Sequence, residues 1–235
     1  ANGFTTPGGN AEYVVNHINT VYRIPDSVSF DVASLVTNLG CALYGYEALG
    51  GYVAGANILV IGPGPLGLAA VAAGKALGAN RVLLSGTRAA RMTIGGQVGA
   101  DRLISASEED PYAVVMQETG GIGVAFAIEV SGSQAGLDLA IKSLKRNGKM
   151  LLLGIPHHPV PIDLKDLSLN DKDIIAIRGE GRANVGRAVS LLANGRVNIA
   201  PLVTHTFPLA QFEEAYRTFN ERIGGAMKVI LKPQP

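Results

Sequence analysis

Short apolar runs of strand length recur along the chain, each followed by a longer segment with helical spacing. The clearest is Asn57-Ile58-Leu59-Val60-Ile61, a continuous run suited to a strand buried on both faces. Gly62-Pro63-Gly64-Pro65-Leu66-Gly67 follows at once, and residues 66–77 form an Ala- and Leu-rich helical segment closed by Gly78. Residues 81–84 predict a second strand. The alternation continues with helices over 88–98, 108–119 and 133–144, the last N-capped by Ser133. Strands are expected over 101–104, 124–130, 149–153 and 173–177. Strands and helices in turn argue for an α/β fold with a doubly wound parallel sheet.

The two ends of the chain read differently. Residues 11–15 and 22–25 have strand composition, 29–35 suits a short capped helix, and 37–49 a longer one halted by Gly50-Gly51. Near the other end, 184–194 and 209–220 carry amphipathic helical spacing, with extended pieces at 202–205 and 227–231. Neither end can build a core alone. The expectation is a second domain made from residues 1–44 and 181–235, with residues 45–180 inserted between them as a dinucleotide-binding fold.

Composition narrows the partners. Hydrophobic residues at 47% and charged ones at 17% indicate a filled core. A net charge of +1 gives no reason to expect nucleic acid or an anionic membrane as partner. Gly, Pro or charge interrupts every apolar run before it reaches membrane-spanning length, and no signal peptide is visible. A single cysteine excludes an internal disulfide framework and fits a reducing compartment, so a cytoplasmic location is expected.

The glycine turn carries the candidate chemistry. Gly62 permits a sharp exit from the strand, Gly64 leaves room for a pyrophosphate, and Gly67 lets the helix pack close to the sheet. Pro65 presets the first helical turn, and Leu66 opens the helix. The helix start then offers unpaired N–H groups to phosphate. A fold preferring NAD ends its second strand in Asp or Glu to hold the ribose 2′-hydroxyl. Here that position is Gly86, followed by Thr87 and Arg88, with Arg91 one turn on. A hydroxyl and a guanidinium suit a 2′-phosphate, so NADP is the preferred cofactor and NAD the alternative.

Taken in order, these residues resemble the zinc-type medium-chain alcohol and polyol dehydrogenase family, over roughly its C-terminal two-thirds. The ordered matches are Gly8-Gly9-Asn10-Ala11-Glu12-Tyr13, Tyr22-Arg23-Ile24-Pro25-Asp26, GPGPLG, Gly99-Ala100-Asp101, Glu129-Val130-Ser131-Gly132, Leu153-Gly154-Ile155-Pro156, Leu202-Val203-Thr204-His205 and Met227-Lys228-Val229-Ile230-Leu231. The resemblance implies a Rossmann sheet inserted into a partial GroES-like catalytic domain. It also implies hydride transfer between a small alcohol or carbonyl substrate and NAD(P), with zinc as Lewis acid.

By the same resemblance, Leu153, Gly154 and Ile155 line the nicotinamide, Val130 and Ser131 flank the adenosine side, Gly179-Glu180 approach the nicotinamide ribose, and Lys228 lies near the pyrophosphate. Cys41 occupies the third zinc-ligand position. The family's other ligands, a Cys and a His-Glu pair, together with its proton relay, belong to a segment that should precede Ala1. These residues are therefore expected to bind cofactor without a complete catalytic site. His17, His157, His158 and His205 have no ligand-like spacing and read as structural or surface groups. A homodimer or homotetramer formed through the sixth strand is the implied assembly. Two other readings are a non-catalytic dinucleotide-binding remnant and the zinc-free quinone or enoyl reductase branch, the latter disfavoured by GPGPLG and Cys41.

Overall fold

The computed structural model describes residues 5–181 and 183–233. After a 3₁₀ turn at Ile18–Thr20, the chain forms α1 (Phe30–Ala33) and α2 (Val36–Ala48). It then alternates through β1 (Asn57–Ile61), α3 (Pro65–Ala76), β2 (Arg81–Gly86), α4 (Ala89–Gln97), β3 (Arg102–Ser105), α5 (Pro111–Glu118), β4 (Val124–Glu129), α6 (Gln134–Ser143) and β5 (Leu144–Leu152). The rest is α7 (Leu164–Leu169), β6 (Asp173–Ala176), α8 (Asn184–Ala193), β7 (Val203–Pro208), α9 (Phe212–Glu221) and β8 (Lys228–Lys232).

Six strands make one parallel sheet in the order β3-β2-β1-β4-β5-β6. Chain order reverses between β1 and β4, the kind of switch point where open α/β sheets leave a crevice at their carboxyl ends. The apolar runs are continuous because both faces are covered. Ile58, Val60, Val82, Leu84, Ile128 and Leu151 share one core with α2, α3 and α8. Leu59, Ile61, Leu83, Ile104, Ala127 and Met150 face the other way, towards α5 and α6. Alternate residues of each strand thus enter opposite cores.

Three differences from the sequence expectation have physical causes. Residues 11–15 and 22–25 are not strands; Tyr13 and Val15 are 84% and 95% exposed, and among the described residues no neighbouring strand pairs with them. Strand β5 starts at Leu144, directly after α6, and its register with β4 shifts between the Leu144 and Lys149 pairings. The polar 145–148 stretch bulges there, with Asn147 at φ 59°. Helix α7 was not expected, and Asp163 caps it by accepting from Lys165 and Asp166 N–H. The two late extended pieces do form strands, β7 and β8, which pair with each other in parallel and stay apart from the main sheet.

Asp101 ties the first βαβ unit together. One carboxylate oxygen accepts from Lys75 Nζ of α3 at 2.9 Å and the other from Val82 N–H of β2 at 2.7 Å. Burial raises its pKa, but the Lys75 and Val82 bonds outweigh that and leave it below the ordinary Asp value. With the folded pKa depressed, the stabilisation exists above the unfolded value of about 4 and disappears as pH falls through the folded one. The stability gap between wild type and Asp101→Asn, measured by urea denaturation, should narrow as pH drops below about 4. A gap independent of pH would show that the charge is not what holds the unit.

Candidate dinucleotide-binding groove

Helix α3 begins against the ends of β1 and β4. Gly62 turns the chain at φ 109°, with its N–H bonded to Ser85 O at 2.9 Å. Gly64 is the N-cap residue, extended at φ −85°, and no side chain caps the helix. The first amides of an α-helix have no partner within it, so this terminus points free donors and a partial positive charge outward. Around Gly64 there is open space, with no atom within 4 Å of a side-chain carbon built there. Gly67 is the reverse: a Cβ would collide with the Gly62 carbonyl oxygen and lie 2.9 Å from Val130 Cγ2.

Two cavities flank this helix start. The larger, about 650 Å³, is walled by Gly62, Gly64, Thr87, Arg88, Val130 and Ser131. The smaller, about 280 Å³, is walled by Leu66, Leu153, Gly154 and Ile155, with Cys41 and Gly179 at its edge. The structure therefore brings the sequence-named residues into one crevice on both sides of one helix terminus. Pro65 and Gly67 lie in the helix between them and wall neither cavity. Lys228 is not in the crevice; it lines a separate cavity with Phe212, Tyr216 and Phe219, where burial lowers its pKa.

Three features of the crevice were not foreseen. Gly86 has no room for a carboxylate, since a Cβ there would lie 2.6 Å from Pro63 Cγ and 2.9 Å from Met92 Sδ. Arg222, from the end of α9, joins Arg88 and Arg91. Burial first, then the Arg88 and Arg222 charges, lower the pKa of Arg91, whose Nη2 donates to Ala226 O at 3.1 Å. None of the three arginines has an ion-pair partner among the described residues. Finally, Glu129 is 1% exposed at the end of β4. Its carboxylate accepts from Ser131 N–H at 2.7 Å, from Ser131 Oγ, and from Gly132 N–H at 3.2 Å. Only the Gly86 obstruction had a sequence signal, in the neighbouring glycine-rich turn; the other two depend on tertiary placement.

A family model described as zinc-binding dehydrogenase matches residues 65–194, more than half of the chain. The chain belongs to the zinc-binding dehydrogenase family. The L-threonine 3-dehydrogenase of Bacillus licheniformis is 34% identical over 98% of the chain and 66% of its own length. The sorbitol dehydrogenase of Homo sapiens is 31% identical over 91% of the chain and 59% of its own length. The chain thus spans about two-thirds or less of these relatives. A solved zinc-binding dehydrogenase of Sinorhizobium meliloti 1021, with NADP bound, covers 99% of the chain and 68% of its own length at TM-score 0.90 and 24% identity, a likeness of fold.

For a zinc-binding dehydrogenase the metal ligands are the next question. Among the described residues no group of three or more His, Cys, Asp and Glu side chains converges. Cys41 sits half-buried on α2, and burial followed by the Glu180 charge pushes its thiol pKa up to about 11. A zinc site takes at least three protein ligands, and cysteine ligates as thiolate. The described residues of this chain do not by themselves fit zinc. The histidines fill other roles: His17 Nδ1 accepts from Asn19 N–H, and His205 Nδ1 pairs with Thr204 Oγ1 at 3.0 Å.

The two glycines separate packing from access. Gly67→Ala should destabilise the chain by about 1–3 kcal/mol through overpacking. Gly64→Ala, in open space with an ordinary φ, should stay within about 0.5 kcal/mol of wild type. Equal losses for the two in chemical denaturation would refute the packing account.

Proposed function

We propose that this chain is the cofactor-binding part of an NADP(H)-dependent alcohol or polyol dehydrogenase. In this reading a hydride passes between the carbon of a small alcohol, or its carbonyl counterpart, and the nicotinamide. The observation that carries it is the uncapped α3 terminus facing open space over Gly64, at the switch point of a parallel sheet. The names of the threonine and sorbitol dehydrogenases support the alcohol class.

The amides following Gly64, through Leu66 and Gly67, take the pyrophosphate, with Gly62 and Pro65 setting the turn. Val130 and Ser131 flank the adenosine half, and Leu153, Gly154 and Ile155 the nicotinamide half. NADP supplies the redox chemistry when bound; the chain's part is to orient it and neutralise its phosphates. Two observations favour NADP over NAD. Gly86 leaves no space for the carboxylate that would accept from a 2′-hydroxyl, and Arg88 and Arg91, with no ion-pair partner among the described residues, line the same groove.

The reading includes a second, catalytic domain containing residues 1–44 and 181–235, with the cofactor fold at 45–180. Zinc belongs to it only if Cys41 is joined by ligands from outside these residues. A cytoplasmic location accords with the single free cysteine. Among the described residues no helix is long and apolar enough to cross a membrane.

Titration calorimetry tests the cofactor reading. Wild type should bind NADPH more tightly than NADH. Arg88→Ala should weaken NADPH roughly ten- to hundredfold, as expected for a lost charge-assisted bond of about 1.5–3 kcal/mol, and leave NADH nearly unchanged. No heat with either nucleotide would end the proposal, and equal NADPH affinity in the two proteins would end the 2′-phosphate role of Arg88.

Assembly follows from the sheet edge. Among the described residues strand β6 has a neighbour on one side only, and Ile174 and Ile175 are half-buried there. Pairing of two β6 edges would give a homodimer, or a homotetramer if dimers pair again. Light scattering should report at least twice the chain mass, whereas a monomer at micromolar concentration would count against this interface.

A further inference from the structure

The geometry points to Glu129 as a positioning residue that couples the two halves of the dinucleotide groove, an inference that rests on the cofactor reading. Its side chain holds one half. The carboxylate accepts from Ser131 N–H at 2.7 Å, from Ser131 Oγ, and from Gly132 N–H at 3.2 Å to each oxygen. Ser131 walls the larger cavity.

Its main chain holds the other half. The Glu129 carbonyl oxygen accepts from both Leu153 N–H and Gly154 N–H at 2.9 Å. Leu153 and Gly154 wall the smaller cavity. Glu129 walls neither of the two, so it acts through the loops it fixes.

Sequence choices around the carboxylate fit this role. A Cβ at Gly136 would lie 2.7 Å from Glu129 Oε1, and one at Gly154 would collide with Oε2 and lie 2.5 Å from Gly132 N. Gly132 stands at φ 66°, and a Cβ on it would lie 2.8 Å from Ile155 O. Three glycines thus let the two turns close around one acid. Among the described residues Glu129 has no ion-pair partner, so its burial depends on these N–H and O–H donors. A buried carboxylate bonded to both Ser131 and Gly132 holds the turn that follows β4 in one register.

Glu129→Gln keeps the shape but turns one acceptor into an N–H₂ donor facing the backbone donors. Calorimetry on the whole chain with NADPH and with adenosine 2′,5′-bisphosphate, which fills only the adenosine half, reads the coupling. Glu129→Gln should weaken the bisphosphate about threefold, because Ser131 loses its acceptor, and NADPH about tenfold, because the coupling to the nicotinamide half is lost as well. Equal weakening of both ligands, or none of either, would overturn the coupling role. If wild type binds neither NADPH nor NADH, the cofactor reading itself has failed, a separate outcome.

Wild type supplies an arm that needs no variant. Adenosine 2′,5′-bisphosphate alone should slow amide hydrogen exchange at Leu153 and Gly154, across the groove from where it binds. Unchanged exchange there, with the bisphosphate demonstrably bound, would overturn the proposal even if Glu129→Gln does not fold.

Discussion

Close approach of Gly67 to the Gly62 carbonyl is the contact on which the crevice depends. A side chain at position 67 would push the α3 terminus off the ends of β1 and β4. The free amides would then no longer face the gap left by the reversal of strand order. Everything functional proposed for this chain uses that placement. Gly64 keeps the terminus open, and Gly62 lets β1 run straight into it. The three glycines of one turn therefore answer to three separate constraints, conformation, access and packing.

Those constraints explain why the centre of the fold was legible and its ends were not. Strands β1 and β2 announce themselves because a parallel strand between two helical layers must be apolar at every position, as Ile58 to Ile61 are. The start of β5 does not, because residues 145–148 are polar and bulge from the pairing. Residues 11–15 have the composition of a strand, but composition supplies only one edge of a ladder. Among the described residues no strand lies alongside to complete it.

Site residues divide along the same line. The glycine turn is local, so GPGPLG could be read directly, and Thr87 and Arg88 follow by counting along one βαβ unit. Arg222 comes to the groove from the far end of the chain, and no spacing rule links it to Arg91. Glu129 was visible only as part of a motif. Its chemistry comes from backbone donors, whose direction is set by turns at Gly132 and Gly154. Lys228 was misplaced for the reverse reason: β8 pairs with β7 and carries its lysine beside α9 instead of the glycine turn.

Charge is arranged locally in this chain, since its net value is only +1. A near-neutral protein has little long-range attraction for an anion. Binding a ligand with several phosphates must then rest on short-range donors and on charges left unpaired by design of the surrounding surface. Arg102, Arg81, Lys75 and Arg187 are spent on Glu109, Glu118, Asp101 and Glu47. Among the described residues Arg88, Arg91 and Arg222 have no such partners, and burial, followed by the Arg88 and Arg222 charges, depresses the Arg91 pKa. Two aspartates, Asp110 and Asp138, line the larger cavity, whereas Glu129 at the end of β4 is turned inward onto N–H and O–H donors. The proposed anionic occupant would sit against Arg88 and Arg91, and the inward turn of Glu129 adds no further carboxylate to the two aspartates on that wall.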